Sequence, residues 1–359
     1  MTKKGTMNNG ERLQAVLNRK KPDRVPILPF GGAMGFCGID AGFTIAEMYN
    51  DPKKTLAAES KTYDKYDWVY IPYIAYASYG GWEFGGEIKW PRGEYDMAPS
   101  VVRPAVETEE DIWKLKKPDV ATAGIVPIMT ECFKQAQKER RPDQPYYMLA
   151  PMVGPFTLAG NICKPDRLCK WMLKKPEVAH HILRLATEHG KDLAQHWYDN
   201  FGLDGVLPFT AEATTSNQLI SPAQFEQFAF PYFMELHQKV LSLGYKHIYC
   251  HICGEQNKNL PWWKQVCYGD PGIITIGHEI ELKTAAETFP HDVIMGNLEP
   301  AIIQTRNPQE VYEAAKKNIQ DGMKIKGGYI FSPGCALPPK APPDNIMAIT
   351  RAVNDIGWY

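Results

Sequence analysis

A (β/α)8 barrel is the fold this sequence predicts, and three observations predict it. Eight short runs rich in β-branched and aromatic residues punctuate the chain. Helix-patterned stretches separate them, which argues for parallel βαβ units. The length, 359 residues, suits one large α/β barrel. A doubly wound open sheet would show a similar alternation, because a βα count alone does not establish closure.

The predicted strands are VPILPF at 25–30, WVYIPY at 68–73, YYMLAP at 146–151, GVLPFT at 205–210, HIYCHI at 247–252, GIITIG at 272–277, VIMGN at 293–297 and GYIFS at 328–332. The stretch 176–202 reads as a long helix. A second helix is predicted over 307–322, with Asn307 as N-cap, Pro308 at the first helical position and Gly322 at its end. The gap between the second and third strands holds Gly/Trp/Pro-rich material, GGWEFGGEIKWPRG at 80–93. It reads as part of an irregular insertion, around 74–145, over one barrel mouth. The nearest thing to a linker, PPKAPP at 338–343, lies too near the end to separate two domains. The expectation is one barrel domain over 1–359.

Lys and Arg total 40 against 41 Asp and Glu, for a formal net charge of −1. That balance argues against a general nucleic-acid binder and against an acidic disordered chain. No apolar run is long enough for a membrane span, and the N-terminus lacks the apolar stretch of a secretory signal. A cytoplasmic location is expected, with eight cysteines kept as thiols.

Spacing sorts those thiols. HICG at 251–254 places His251 and Cys253 two apart at a strand end, where both point to one face. SPGC at 332–335 places Cys335 just past the last strand. Both are carboxyl ends of strands, where a barrel gathers its chemistry. One imidazole and two thiolates form a catalytic zinc set with a fourth position open. The plain alternative is a pair of buried thiols and a core histidine. Cys250 is out of phase with Cys253 and is expected to pack into the helix layer. Cys37, Cys132, Cys163, Cys169 and Cys267 show no ligand pattern and are expected to pack.

DRVPI at 23–27, ISPAQFEQFAFPY at 220–232, HICG at 251–254, GNLEP at 296–300 and SPGCALPPKAPPDN at 332–345 carry a resemblance to the uroporphyrinogen decarboxylase superfamily. Within it the chain resembles the zinc-dependent, corrinoid-linked methyltransferases, from about residue 10 to the C-terminus. The resemblance implies a single (β/α)8 barrel. It also implies zinc on His251, Cys253 and Cys335. The decarboxylases carry an N-terminal Met-Arg-Gln-Ala-Gly-Arg segment that grips substrate carboxylates, whereas the matching stretch here, GGAMGFCGID at 31–40, has no arginine. Porphyrinogen decarboxylation is therefore the third-ranked function.

By the resemblance, the protein moves a methyl group between a small molecule and the cobalt of a corrinoid carried on a partner protein. The usual Asp-x-His-x-x-Gly corrinoid-binding stretch is absent from this chain. The favoured direction is demethylation of a methyl ether, aryl ethers first. The alternative is methylcorrinoid-to-thiol transfer of the coenzyme M type. Ether cleavage would use a proton donor to the departing oxygen. Glu212, just after the fourth strand, is the candidate acid, or else a fourth zinc ligand or a salt-bridged loop carboxylate. His278 and Glu279 end the sixth strand and either could line the site, and Asn297, ending the seventh, is a candidate pocket residue; a structural histidine and a turn asparagine are the alternatives.

The aromatic group Trp68, Tyr70, Tyr73, Tyr76, Tyr79, Trp82, Phe84 and Trp90 reads either as ordinary packing or as walls for a flat apolar substrate. Tyr73 and Trp82, nearest the mouth, are the candidate walls.

Overall fold

The computed structural model describes residues 5–93, 96–140 and 145–359. Six strands follow one another in parallel around the chain's larger sheet. In chain order, β1 (Glu87–Lys89) and β2 (Ser100–Arg103) form a separate antiparallel pair, and the parallel six are β3 (Met148–Val153), β4 (Val206–Glu212), β5 (Tyr249–Ile252), β6 (Ile273–Ile276), β7 (Val293–Leu298) and β8 (Tyr329–Pro333).

Two further extended segments close the ring. Residue 28 donates its N–H to the Phe331 carbonyl at 3.0 Å, and the Phe331 N–H reaches the Pro26 carbonyl at 2.9 Å. On the other side, Val69 N–H bonds the Ile27 carbonyl at 2.8 Å, and Leu149 N–H bonds the Pro72 carbonyl at 3.3 Å. The first and second predicted strands therefore occupy barrel positions between β8 and β3. They are not continuous ladders, because Pro26, Pro29 and Pro72 have no N–H to donate. The predicted barrel is the fold, with eight parallel wall segments.

The third and fourth strands start and end about one or two residues later than predicted. The helix Pro176–Phe201 ends at Gly202, whose φ of +68° stops it there. The helix Pro308–Gly322 opens as predicted, with the Asn307 side chain accepting from the Gln309 and Glu310 N–H groups. The region read as an irregular insertion contains the β1–β2 hairpin and the helix Val126–Lys138; residues 94–95 and 141–144 of it lie outside the described residues. Among the described residues no helix is long and apolar enough to cross a membrane.

Register decides what faces the lumen. Ala211, His251 and Thr275 stand side by side on β4, β5 and β6. One residue earlier, Thr210 and Cys250 form the neighbouring row, and the Thr210 hydroxyl meets His237 Nε2 of the helix Phe230–Ser242 at 2.9 Å. Alternation thus sends His251 inward and Cys250 into the helix layer, as predicted for Cys250.

Candidate metal centre

His251 stands in the wall of β5, 2% exposed, and Cys253 follows on the same face just past the strand. Gly254 then turns the chain with a φ of +72°, in the left-handed region that favours glycine. Cys335 comes two residues after β8. The His251, Cys253 and Cys335 ligand atoms all lie within 4.8 Å of one another. The two sulfurs are 4.0 Å apart, too far for a disulfide, and both cysteines are free.

The site fits a soft divalent cation by its own chemistry. His251 Nε2 is buried and has no hydrogen-bond partner, a costly state for a ring nitrogen unless something else binds there. Its Nδ1 lies 3.4 Å from the Thr275 hydroxyl, which steers the ring. The Phe30 ring covers the imidazole at 4.0 Å between centroids. The two thiols hold unequal protons: the Cys253 contact and the His251 ring beside it hold Cys335 well below the ordinary thiol range, and the same contact pushes Cys253 up. One member of the pair is thus disposed to be a thiolate, the form that ligates metal.

These three residues open onto a cavity of about 310 Å³ lined by Phe30, Met34, Tyr49, Tyr73, Tyr76 and Phe209 among others. Tyr73 is where the sequence placed it, in the wall, edge-on to Phe209 at 5.5 Å between centroids. No Asp, Glu, Lys or Arg is among the described residues lining this cavity.

The structure puts four other candidates elsewhere. Glu212 is fully buried on the row that alternation turns away from the lumen. Its carboxylate accepts from the Phe156 N–H at 3.0 Å, the Thr157 N–H at 3.1 Å and the Thr157 hydroxyl at 2.7 Å. It therefore caps the helix Pro155–Cys163 from a neighbouring strand. Gly154 makes the approach possible, since a β-carbon there would stand 2.3 Å from Glu212 Oε1. Burial raises the carboxyl to about 7 against the pull of those three donors. Glu212 joins neither the ligand group nor the cavity lining, so its predicted roles as acid or fourth ligand give way to that of a helix cap.

Asn297 is likewise occupied. Its amide donates to the Gly277 and Ile280 carbonyls at 3.2 and 2.6 Å, and its carbonyl accepts from Asn318 at 2.8 Å. It ties the end of β6 to the helix Pro308–Gly322. His278 is half-exposed, 3.6 Å from Glu279, and with Asn297 lines a polar groove of about 660 Å³ on the helix side. That groove is larger than the lumen cavity but contains none of the three ligand residues. Trp82 pairs edge-on with Trp90 at 5.8 Å in the insertion and does not line the cavity. Tyr76, read only as one of the aromatic group, is a wall residue instead. Cys37, Cys132 and Cys163 are buried and Cys169 is half-buried, but Cys267 is exposed rather than packed.

Phe30, Thr275 and Phe209 were missed. Each sits within a predicted strand, and counting by twos along 205–210 and 272–277 from the mouth was the available signal for the last two.

The uroporphyrinogen decarboxylase (URO-D) family model matches residues 8–356. The methylcobamide:CoM methyltransferase MtbA of Methanosarcina acetivorans is 27% identical, over 96% of this chain and 97% of its own. The methylated-thiol–coenzyme M methyltransferase of Methanosarcina mazei is 25% identical, over 76% of this chain and 68% of its own. A uroporphyrinogen decarboxylase of Geobacter sp. strain M21 is 24% identical, over 73% of this chain and 74% of its own. In structure, a methyltransferase from Methanosarcina mazei superposes with a TM-score of 0.79 at 21% identity, covering 97% of this chain and 99% of that one, which speaks for the barrel. With the barrel, the strand-end motifs and a family match that spans nearly its whole length, the chain belongs to the uroporphyrinogen decarboxylase (URO-D) family.

Proposed function

We propose that the protein is a zinc-dependent methyltransferase that transfers a methyl group from a corrinoid, carried on a partner protein, to the thiol of a small molecule. The observation that carries this is the convergence of His251, whose buried Nε2 has no hydrogen-bond partner, with the Cys253 and Cys335 sulfurs at the wall of a cavity whose described lining holds no Asp, Glu, Lys or Arg. His251, Cys253 and Cys335 would hold zinc, which would supply a Lewis acid able to lower the pKa of a thiol or to polarise an ether oxygen.

The chain's own residues supply the rest. Thr275 orients the His251 ring, and Phe30 covers it. The apolar walls exclude water, so a thiolate is poorly solvated and more reactive. A tetrapyrrole or corrin ring exceeds a cavity of about 310 Å³, so the corrinoid must meet the site at the mouth. The same size, and the missing cationic side chains, speak against a porphyrinogen polycarboxylate.

Two observations favour thiol methylation over the ether demethylation expected from the sequence. Relatives over nearly the full chain are named for transfer to coenzyme M. Ether cleavage also calls for a proton donor, and the carboxyl proposed for that task caps a helix instead. A thiol gives up a proton and needs no acid. Ether demethylation remains a second reading because Tyr73 and Phe209 offer flat walls.

The test incubates zinc-loaded protein with a methylcorrinoid protein plus thiols, or with a Co(I) corrinoid protein plus methyl ethers, and follows the cobalt spectrum. Loss of methyl-cobalt with thiols supports the proposal. Cobalt methylation by ethers alone transfers it to the second reading. Full activity in protein free of zinc sinks both.

A further inference from the structure

We infer that the substrate of this site has an uncharged, apolar body, one ring in size, bearing a single sulfur or oxygen, and that an anion-tailed thiol such as coenzyme M is a poor fit. This deepens the methyl-transfer reading and rests on it.

The argument is electrostatic. The described walls of the cavity carry no Lys, Arg, Asp or Glu. A sulfonate taken into such a space loses its water and gains no paired charge, and buried charges persist only when paired or fully hydrogen-bonded. Helix N-termini are the usual substitute for a cation. One lies beside this cavity, at the helix Pro155–Cys163, where Thr157 is a lining residue. Its free N–H groups, on Phe156 and Thr157, are already bonded to Glu212. A second carboxylate-like group could not displace that internal one, and an ionised Glu212 repels it. Met34 and Gly35, at the start of the helix Met34–Ala41, also line the cavity, but a helix start offers only about half an elementary charge. Against this, the apolar walls reward a ring. Tyr73 and Phe209 meet edge to face, which leaves ring faces and edges for a further aromatic to pack on. A volume of about 310 Å³ takes one substituted ring.

A matched pair tests it. 2-Phenylethanethiol and 2-mercaptoethanesulfonate share a mercaptoethyl stem and differ in ring against sulfonate, so the sulfur–metal contact is common to both. Titration calorimetry on the zinc-loaded protein, backed by thermal shift, should give Kd values at least about 100-fold lower for the phenyl compound. 2-Methoxyphenol as a third ligand separates the two sources of such a ring: tighter binding of the thiol points to a thiol acceptor, tighter binding of the ether to an ether donor, and either supports the class. Equal or tighter binding of the sulfonate overturns the inference, and so does failure of both ring compounds to bind. Cobalt methylation is read separately. Ring binding without methyl transfer sinks the proposed function and leaves the substrate class; methyl transfer to coenzyme M in preference to the ring thiol does the reverse.

Discussion

At the carboxyl ends of β4 and β5, Ala211 and His251 turn into the lumen, while Glu212, one residue further, turns into the helix layer. Both faces carry ionisable side chains near the same mouth, yet they do different work. His251 Nε2 is orphaned, whereas Glu212 and Asn297 accept or donate three hydrogen bonds each. The unpartnered nitrogen of His251, beside two thiols, is open to a ligand, whereas the filled carboxylate of Glu212 and amide of Asn297 serve structure. Proximity to a strand end does not separate His251 from Glu212, whereas parity on their paired strands does; Asn297 shares the parity of Met295, which pairs with Thr275, yet its side chain bonds Asn318 of the helix layer.

The largest expected effect lies on the lumen face. Cys335→Ala should lower zinc content to near zero by elemental analysis and abolish methyl transfer. Its unfolding free energy should stay within about 1 kcal/mol of the parent in the metal-free forms, because the ligand sits above the core. A collapsed far-UV spectrum would make the site structural and blur the contrast between the faces.

Next in size is the helix face. Glu212→Ala should keep the metal but cost about 2–3 kcal/mol in denaturant unfolding, since three buried donors lose their acceptor. Glu212→Gln probes the charge. The folded carboxyl is raised to about 7, above its unfolded value, so its contribution is fully present below about pH 4.5 and is lost as pH rises to 7. Over that window the stability of the parent relative to the Gln variant should fall by about 3 kcal/mol. A Glu212→Gln protein with normal stability at every pH but no turnover would return Glu212 to the chemistry and break the comparison.

The smallest effect separates the two aromatic candidates. Tyr73→Ala should weaken binding of 2-phenylethanethiol by about 10-fold, the worth of one ring contact in a cavity wall. Trp82→Ala should change it by less than about 2-fold, because that ring packs on Trp90 outside the cavity. Equal losses would sharpen the boundary of the site by bringing the insertion into it.

Much of this could be read before any coordinates. Periodicity located all eight barrel segments, and the Asn307–Pro308 start of one helix followed from capping chemistry. The His-x-Cys spacing and the cysteine after the last strand identified the residues that converge, because i and i+2 share a face of an extended chain and barrels collect their strand ends at one rim. The prolines at 26, 29 and 72 also stood in plain view, and they are why two segments form broken ladders.

What the sequence by itself determined, then, was the kind of fold and the trio with metal-binding chemistry, since both follow from local rules of spacing, capping and ligand type. Only the tertiary structure decided which carboxylate was free and which cavity the trio serves. Glu212 has the same local signature whether it faces a substrate or the start of the helix Pro155–Cys163, more than fifty residues earlier in the chain. Its partners, and the lack of Asp, Glu, Lys or Arg among the described residues that line the cavity, arise from contacts between segments distant in sequence, where one step of strand parity exchanges lumen for helix layer.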